Sequence, residues 1–238
     1  MQWEQVKDWL SAARSIAVLT GAGISAESGI PTFRGEGGLW RNFRAEDLAT
    51  PQAFARDPLL VWEWYAWRRE LIARAEPNPG HLALAALEPR IPEFHLITQN
   101  VDGLHDRAGS RAILKIHGDL WDLRCTRCQR QWTDRSVPLV ELPPRCECGS
   151  IARPGVVWFG EGLPPCVWEQ ARRAASGCQL LLVVGTSAVV YPAAGLAPLA
   201  KSAGAKVVEV NVGDTPLSDL ADVTLRGPAS EILPVVCG

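Results

Sequence analysis

The chain has 238 residues, of which 47% are hydrophobic and 21% charged, as expected for a globular protein of one large or two small domains. Its 24 basic and 26 acidic residues nearly cancel, which argues against nucleic-acid binding through bulk charge. The seven cysteines are an odd number, so a disulfide framework cannot pair all of them.

No segment of the sequence resembles a membrane span or an export signal. The longest aliphatic run, Leu180–Val184, is far shorter than the ~20 residues of a spanning helix. Glu4 and Asp8 precede any apolar stretch, unlike a cationic secretory signal. We therefore expect a cytoplasmic protein whose cysteines are free thiols or metal ligands.

The predicted elements alternate between helices and short apolar strands, beginning with an amphipathic helix that carries Trp3, Val6, Leu10 and Ala13 on one face. The predicted strands are Ile16–Thr20, Phe94–Asn100, Ala112–His117, Gln179–Thr186, Lys206–Val212 and Asp222–Leu225. The predicted helices are Pro58–Ala75, His81–Leu87, Pro164–Ser176, Ala193–Ser202 and Pro228–Val235. Strands separated by helices indicate an α/β fold with a doubly wound parallel sheet.

Two stretches interrupt this alternation. Residues 34–78 contain no clear strand and are rich in Trp and Arg, whereas residues 119–154 contain four cysteines and show little periodicity. We interpret both stretches as insertions into one α/β domain.

Five predicted strands end at small or hydrogen-bonding residues. These strand ends are Gly21–Ser25, Gln99–Gly103, His117–Gly118, Gly185–Ser187 and Asn211–Gly213. Ligands of open parallel sheets bind at the carboxyl ends of the strands. Each segment alone is compatible with an ordinary turn, but the five together predict a nucleotide-like ligand.

The first of these loops fits the glycine pattern of dinucleotide-binding proteins, in which the backbone approaches a pyrophosphate. A dehydrogenase would continue into an unbroken helix and then a strand that ends in an acid. Here Ser28–Pro31 interrupts any helix, and Glu46 and Asp47 lie in no plausible strand. The glycines therefore favour phosphate contact without hydride transfer, and a tight strand-to-helix turn remains the alternative.

Four cysteines form two close pairs, Cys125 with Cys128 and Cys146 with Cys148. Two such pairs can close a tetrahedral four-thiolate site, which leaves no position open for water and predicts one structural zinc ion. The alternative is four unrelated thiols. The other cysteines, Cys166, Cys178 and Cys237, are expected to be small buried hydrophobic residues.

His117 is the candidate general base, because it ends an apolar strand at the ligand edge of the sheet. We interpret His81, His95 and His105 as structural residues.

Several motifs in order along the chain resemble the sirtuin signature. They are Gly21–Ser25 followed by Gly29–Arg34, Gln99–His105, His117–Gly118, the four cysteines, Val156–Glu161 and Gly185–Ser187. The sequence is similar to compact bacterial sirtuins of class III. The resemblance implies a Rossmann-like domain (residues 1–40, 79–118 and 155–238), a helical insertion (41–78) and a zinc-binding module (119–154).

The resemblance also implies that the chain binds NAD as a consumed co-substrate. The implied NAD-binding residues are Gly21, Ala22, Gly23, Ile24, Ser25, Phe33, Arg34, Trp40, Gln99, Asn100, Val101, Asp102, Gly185, Thr186, Ser187, Asn211, Val212, Gly213 and Ala229. Within this set, residues 22–34 are assigned to the pyrophosphate and nicotinamide ribose, Gln99 to the ribose, and residues 100–102 to the nicotinamide pocket. The residues assigned to the adenosine half are Gly185, Thr186, Ser187 and Asn211, with Ala229 at the adenine.

The activity implied is removal of acyl groups from lysine side chains, with His117, Asn100 and Asp102 as the catalytic residues. The acyl oxygen attacks the ribose as nicotinamide leaves, and neutral His117 takes a proton from a ribose hydroxyl. The products are free lysine, nicotinamide and O-acyl-ADP-ribose. Two other possibilities are a protein mono-ADP-ribosyltransferase and a non-catalytic NAD-sensing scaffold.

The substrate side of the site follows from the same resemblance. Val157, Phe159 and Gly160 belong to a segment expected to pair with the substrate peptide as an added strand. Tyr65 and Arg68, spaced i, i+3 on a predicted helix, can share one pocket. In class III sirtuins this pair recognises succinyl- and malonyl-lysine, so both activities are expected beside deacetylation. We expect acylated proteins as partners, no nucleic-acid or membrane partner, and a monomer.

Overall fold

A computed structural model of the chain describes residues 2–32, 39–40 and 43–238. The α-helices are α1 (Gln2–Ala12), α2 (Ala45–Leu48), α3 (Pro51–Arg56), α4 (Pro58–Arg74), α5 (Pro79–Leu87), α6 (Leu104–Arg107), α7 (Pro165–Gly177), α8 (Leu196–Ser202) and α9 (Ala229–Cys237). The 3-10 turns are Ala22–Ser28, Glu88–Arg90 and Ala193–Gly195. Among these residues, no helix combines the length and apolarity needed to cross a bilayer.

The strands form three sheets. They are β1 (Ser15–Thr20), β2 (Leu39–Trp40), β3 (Phe43–Arg44), β4 (Glu93–Thr98), β5 (Ile113–Lys115), β6 (Gly118–Cys125), β7 (Gln131–Thr133), β8 (Ala152–Val156), β9 (Leu180–Val184), β10 (Lys206–Asn211) and β11 (Val223–Arg226). The main sheet has the order β11-β10-β9-β1-β4-β5, and all its pairs are parallel. This is the predicted Rossmann-like, doubly wound α/β fold.

Apolar side chains cover both faces of the main sheet. Along β1, Ile16 and Val18 point into a core that includes α1, α5 and α9, whereas Ala17 and Leu19 point into a second core with α7 and α8. Burial on both faces explains why β1 and β9, at the centre of the sheet, are apolar runs without alternation.

The topology reverses between β1 and β9. The chain proceeds from β1 outward to β4 and β5, and later returns to β9 and continues outward to β10 and β11. The loops that follow β1 and β9 therefore diverge and open a crevice at the carboxyl edge of the sheet, which is the usual ligand position in such folds.

The small domain has its own core. Helices α2–α4 pack against the antiparallel sheet β7-β6-β8, with Trp62, Trp64, Leu120 and Leu123 fully or almost fully buried. Thr50 and Asp57 are the N-cap residues of α3 and α4, and their side chains accept hydrogen bonds from backbone N–H groups of the first turns. A proline follows each cap as the first helical residue. The two insertions thus form one packed unit beside the crevice.

Residues 119–154, in which the sequence shows little periodicity and we predicted no strand, contain most of the three-stranded sheet. A register shift between Gly118 and Leu123 disturbs the alternation along β6. Strand β8 contains Pro154 and Gly155, both of which weaken a strand pattern. Similarly, the short β2–β3 pair falls in a stretch where we predicted no strand.

Candidate active site

A cavity of about 550 Å³ lies at the carboxyl edge of the main sheet, between the sheet and the small domain. The predicted site residues that line it are Gly21, Ala22, Gly23, Tyr65, Arg68, Gln99, Asn100, Val101, His117, Val157, Phe159, Gly160, Gly185, Thr186, Ser187, Asn211, Val212 and Gly213. Residues from all five predicted strand ends therefore meet around one space, of a size that suits a nucleotide and a side chain.

Close contact between two loops makes glycine necessary at this edge. The N–H of Gly23 donates to the Gly185 carbonyl over 2.7 Å. A Cβ on Gly23 would lie 2.7 Å from the Gly185 backbone, and one on Gly185 would lie 2.4 Å from the Ile24 nitrogen. Gly185 also has a φ of +59°, which favours glycine. The glycines thus let the β1 and β9 loops cross without side chains between them.

Behind the cavity wall, Asn100, Ser25 and Asp102 form a buried hydrogen-bond network. The Asn100 amide donates to the Gly21 carbonyl (3.0 Å) and to Ser25 Oγ (3.2 Å). Ser25 Oγ donates to an Asp102 carboxylate oxygen over 2.8 Å, and the Leu104 N–H donates to the other. This network ties the β1 loop to the β4 loop and fixes the orientation of the Asn100 amide.

Burial raises the pKa of Asp102, against the lowering effect of its hydrogen bonds from Leu104 and Ser25. The buried rings of His81 and His105 lie 4.8 Å apart next to this network. Burial lowers the pKa of His81 to about 4 and that of His105 to about 3, so both rings are neutral near pH 7. Neutral rings agree with the structural role predicted for them.

His117 has the geometry of a base. Its Nδ1 lies 3.1 Å from the Gln99 carbonyl oxygen, which can only accept, so Nδ1 carries the hydrogen of the neutral ring. Nε2 therefore keeps a free lone pair. Burial lowers the pKa of His117, and the hydrogen bond to Gln99 raises it by less. The imidazole is thus held neutral, in the tautomer that can accept a proton through Nε2.

Tyr65 and Arg68 line the cavity from α4, and both are almost fully buried. The Arg68 guanidinium lies 5.6 Å from the Trp64 ring centre. Burial raises the pKa of Tyr65, which keeps the hydroxyl protonated. Burial also lowers the pKa of Arg68, against the raising influence of Tyr65 and Asp102. Two hydrogen-bond donors thus face the same end of the cavity.

The segment after β8 forms another wall. Three of its backbone N–H groups donate hydrogen bonds within the chain. Val157 donates to the backbone carbonyl of His117, Trp158 to the Glu161 side chain, and Phe159 to the backbone carbonyl of Ala49. Strand addition here would draw on the carbonyl oxygens of Val157 and Phe159, which accept none of the hydrogen bonds found among the described residues.

A buried carboxylate supports the opposite wall. Glu209, in β10, is 1% exposed and accepts hydrogen bonds from Thr215 Oγ1, Ser218 Oγ and Arg226 Nη1. The Asn211 side chain donates to the Thr186 carbonyl over 2.8 Å. These bonds hold residues 211–215, which line the cavity, against the β9 loop.

The four cysteines come together as predicted, although their pairs lie far apart along the chain. The Sγ atoms of Cys125, Cys128, Cys146 and Cys148 all lie within 4.8 Å of one another. The Cys125–Cys148 and Cys128–Cys146 pairs are 3.5 Å and 3.6 Å apart. A tetrahedral ion with Zn–S bonds of about 2.3 Å requires sulfurs about 3.8 Å apart, so the four thiols fit zinc closely.

The remaining predictions concern the other three cysteines and five of the NAD-binding residues. Cys178 and Cys237 are buried as expected, whereas the prediction for Cys166 was wrong, since it is exposed in the first turn of α7. Ile24 and Ala229 are buried but are not among the residues that line the cavity. Phe33, Arg34 and the Trp40 side chain lie outside the described residues.

The sequence reasoning missed several residues that line the cavity. They are Glu46, Ala49, Val156, Glu161, Leu163, Val190, Tyr191, Pro192, Asp214 and Thr215. Thr32 and Trp158 also line the cavity and lie within the predicted segments 22–34 and 157–160. Asp214 and Thr215 directly continue a predicted strand end and could have been included. Leu163 and Val190–Pro192 are apolar residues in loops, for which the sequence offers no comparable signal.

Comparisons with known proteins identify the family of the chain. The Sir2 family model matches residues 21–192. The NAD-dependent protein deacylase of Aquifex aeolicus is 54% identical over 217 residues, covering 91% of each chain. NAD-dependent protein deacylase 2 of Pyrobaculum aerophilum is 54% identical over 230 residues, covering 96% of this chain and 92% of the relative.

The fold agrees as well. A solved Sir2 homologue in complex with NAD superposes with a TM-score of 0.94 at 49% identity, covering 98% of this chain and 92% of that one. The chain therefore belongs to the Sir2 family.

Proposed function

We propose that this chain is an NAD-dependent protein-lysine deacylase that removes acetyl, succinyl and malonyl groups. The observation that carries the proposal is the base geometry of His117, whose free Nε2 belongs to a neutral ring lining the same cavity as Asn100 and the β1 loop. Relatives named as NAD-dependent deacylases support the class of reaction.

NAD supplies the ribose carbon to which the acyl oxygen bonds as nicotinamide leaves. His117 Nε2 accepts the proton of a ribose hydroxyl, because its lone pair is free and its ring is neutral at pH 7. Asn100 and Asp102, held by Ser25, are proposed to shape the nicotinamide end. The β1 and β9 loops are proposed to bind the phosphates and adenosine.

Selectivity for acidic acyl groups is proposed to come from Tyr65 and Arg68. Arg68 offers a guanidinium and Tyr65 a protonated hydroxyl at the same end of the cavity. A carboxylate at the end of the acyl chain would receive charge-assisted hydrogen bonds from them, whereas an acetyl group has no acceptor there.

The test is a panel of acetyl, succinyl and malonyl peptides with NAD, followed by mass spectrometry. Arg68→Met should lower kcat/KM for succinyl and malonyl peptides about 10- to 100-fold more than for acetyl peptide, since hydrogen bonds to charged groups contribute about 1.5–3 kcal/mol. An equal loss on all three peptides would remove the proposed role of Arg68.

His117→Ala should fold normally and lose deacylation of all three peptides. Full activity in this variant would refute the proposed mechanism. Label from adenine-tagged NAD that appears in protein would identify the ADP-ribosyltransferase alternative. No release of nicotinamide by the wild type would instead favour a non-catalytic scaffold.

We further propose that the protein works as a cytoplasmic monomer on acylated protein substrates, without nucleic-acid partners, which agrees with its nearly balanced charge. The division into a Rossmann-like domain (1–40, 79–118 and 155–238), a helical insertion (41–78) and a zinc module (119–154) belongs to the same proposal. Light scattering would test the oligomeric state.

A further inference from the structure

Trp158 makes an unusual contact with Tyr65 in the acyl end of the cavity. The indole Nε1 of Trp158 lies 2.9 Å from the Tyr65 hydroxyl oxygen, and both residues are 3% exposed. An indole N–H can only donate. Tyr65 is therefore the acceptor in this hydrogen bond, although its hydroxyl could act in either role.

The direction of this bond determines what the hydroxyl can do next. Because Trp158 occupies one lone pair of the oxygen, the hydroxyl hydrogen of Tyr65 is left to donate elsewhere. Arg68, one helical turn away, has a guanidinium group that can only donate. The acyl end of the cavity thus presents donors from both residues, a combination that suits a carboxylate and offers nothing to a methyl group.

Trp158 is itself held firmly. Its backbone N–H donates to a Glu161 carboxylate oxygen over 2.9 Å. Arg153 binds both oxygens of the same carboxylate, at 2.6 Å and 2.8 Å, and places its guanidinium 3.5 Å from the Trp158 ring centre. The Phe54 ring lies 5.1 Å away. The indole is therefore fixed by contacts independent of Tyr65, and can impose its direction on the hydroxyl.

We propose that Trp158 is a positioning residue for acyl selectivity, which acts by holding the Tyr65 hydroxyl as a donor toward the carboxylate of a succinyl or malonyl group. The inference rests on the proposed deacylase function. It assigns part of the selectivity to a residue outside α4, at a position 93 residues away from Tyr65 in the sequence.

The variant Trp158→Phe removes the N–H and keeps an aromatic ring. We expect the ratio of kcat/KM for succinyl over acetyl peptide to fall about three- to tenfold, the effect of one neutral hydrogen bond. The fall should come from a higher KM for the succinyl peptide, with its kcat little changed relative to the acetyl peptide. A decrease in kcat/KM that is equal for the succinyl and acetyl peptides would be attributed to a disturbed backbone around Trp158, and it would not change the ratio.

Trp62→Phe is the matched control. Trp62 is also buried beside Tyr65, with ring centres 6.3 Å apart, but its indole donates to the Ala152 carbonyl. The control loses the same bulk and one buried hydrogen bond, so it should leave the succinyl-to-acetyl ratio unchanged. A fall in this ratio equal to that of Trp158→Phe would overturn the proposal, because the effect would then be one of packing.

Tyr65→Phe completes a double-mutant cycle. If Trp158 acts through the hydroxyl, Tyr65→Phe should lower the ratio by itself, and Trp158→Phe should add little in that background. An unchanged ratio in Tyr65→Phe, or fully additive effects, would overturn the inference even if Trp158→Phe failed to fold. Absence of acyl removal by the wild type would instead reject the proposed function.

Discussion

At the scale of single residues, burial is the largest cause of the shifted pKa values of His117, Tyr65 and Arg68 in the cavity. His117 is neutral, with its hydrogen on Nδ1, because its ring is partly buried and Nδ1 faces a carbonyl oxygen. Sequence reasoning could identify His117 from its place at a strand end. It could not identify Trp158 as the partner of Tyr65, because their contact depends on how α4 packs beside β8.

The lowered pKa of His117 predicts the shape of the pH–rate profile. The base form exists above the pKa, so activity falls as pH drops through it. Because burial places this pKa below the ordinary value of about 6.5, we expect the acid limb of kcat/KM to be centred below pH 6.5. Initial rates from pH 5 to 8 would check this, and an acid limb centred above pH 6.5 would contradict it.

At the scale of elements, β1 and β9 of the main sheet were predictable because they are apolar runs buried on both faces. The strands of the small sheet were not, since a register shift in β6 and Pro154 in β8 disrupt their pattern. The glycine pattern after β1 had an ambiguous meaning in the sequence. In the structure, the close contact between the β1 loop and Gly185 of the β9 loop is enough to require glycine at position 23.

The Glu209 network makes a prediction at this scale. In Glu209→Gln, an amide group would replace one acceptor oxygen and leave Arg226 without its buried charge partner. Because residues 211–215 would be held less firmly, we expect KM for NAD to rise about tenfold, with the succinyl-to-acetyl ratio unchanged.

Glu169→Gln is the control for this variant, since Glu169 forms only exposed ion pairs with Arg172 and Arg173 on α7. Its KM for NAD should match that of the wild type. An unchanged KM in Glu209→Gln would show that the network does not position the loop for NAD.

At the scale of the whole molecule, the small sheet links the four-cysteine cluster to the helix that carries Tyr65. Cys125 ends β6, and the same strand contributes Leu120 and Leu123 to the core beneath α4. The Trp62 indole donates to the Ala152 carbonyl at the start of β8, 2.8 Å away. The metal site, the small sheet and the helix that carries Tyr65 are thus connected in one packed unit.

Replacing one cysteine of the cluster should therefore affect more than metal content. We expect Cys146→Ser to lower zinc affinity more than about 100-fold, because the loss of a ligand exceeds the 10- to 100-fold typical of changes behind the ligands. The thermal midpoint should fall with it. Metal analysis and thermal unfolding would measure both, with the exposed Cys166→Ser as control. Equal zinc content in the two variants would contradict the four-thiolate site.

The hydrogen bond between Tyr65 and Trp158 also limits how this fold can be recombined. Its two residues come from chain segments on either side of β4 and β5, so a relative that receives only α4 of this chain would gain Tyr65 and Arg68 without the indole that donates to the Tyr65 hydroxyl. Under the proposed role of Trp158, we expect acyl preference to be transferred only when both segments are exchanged together.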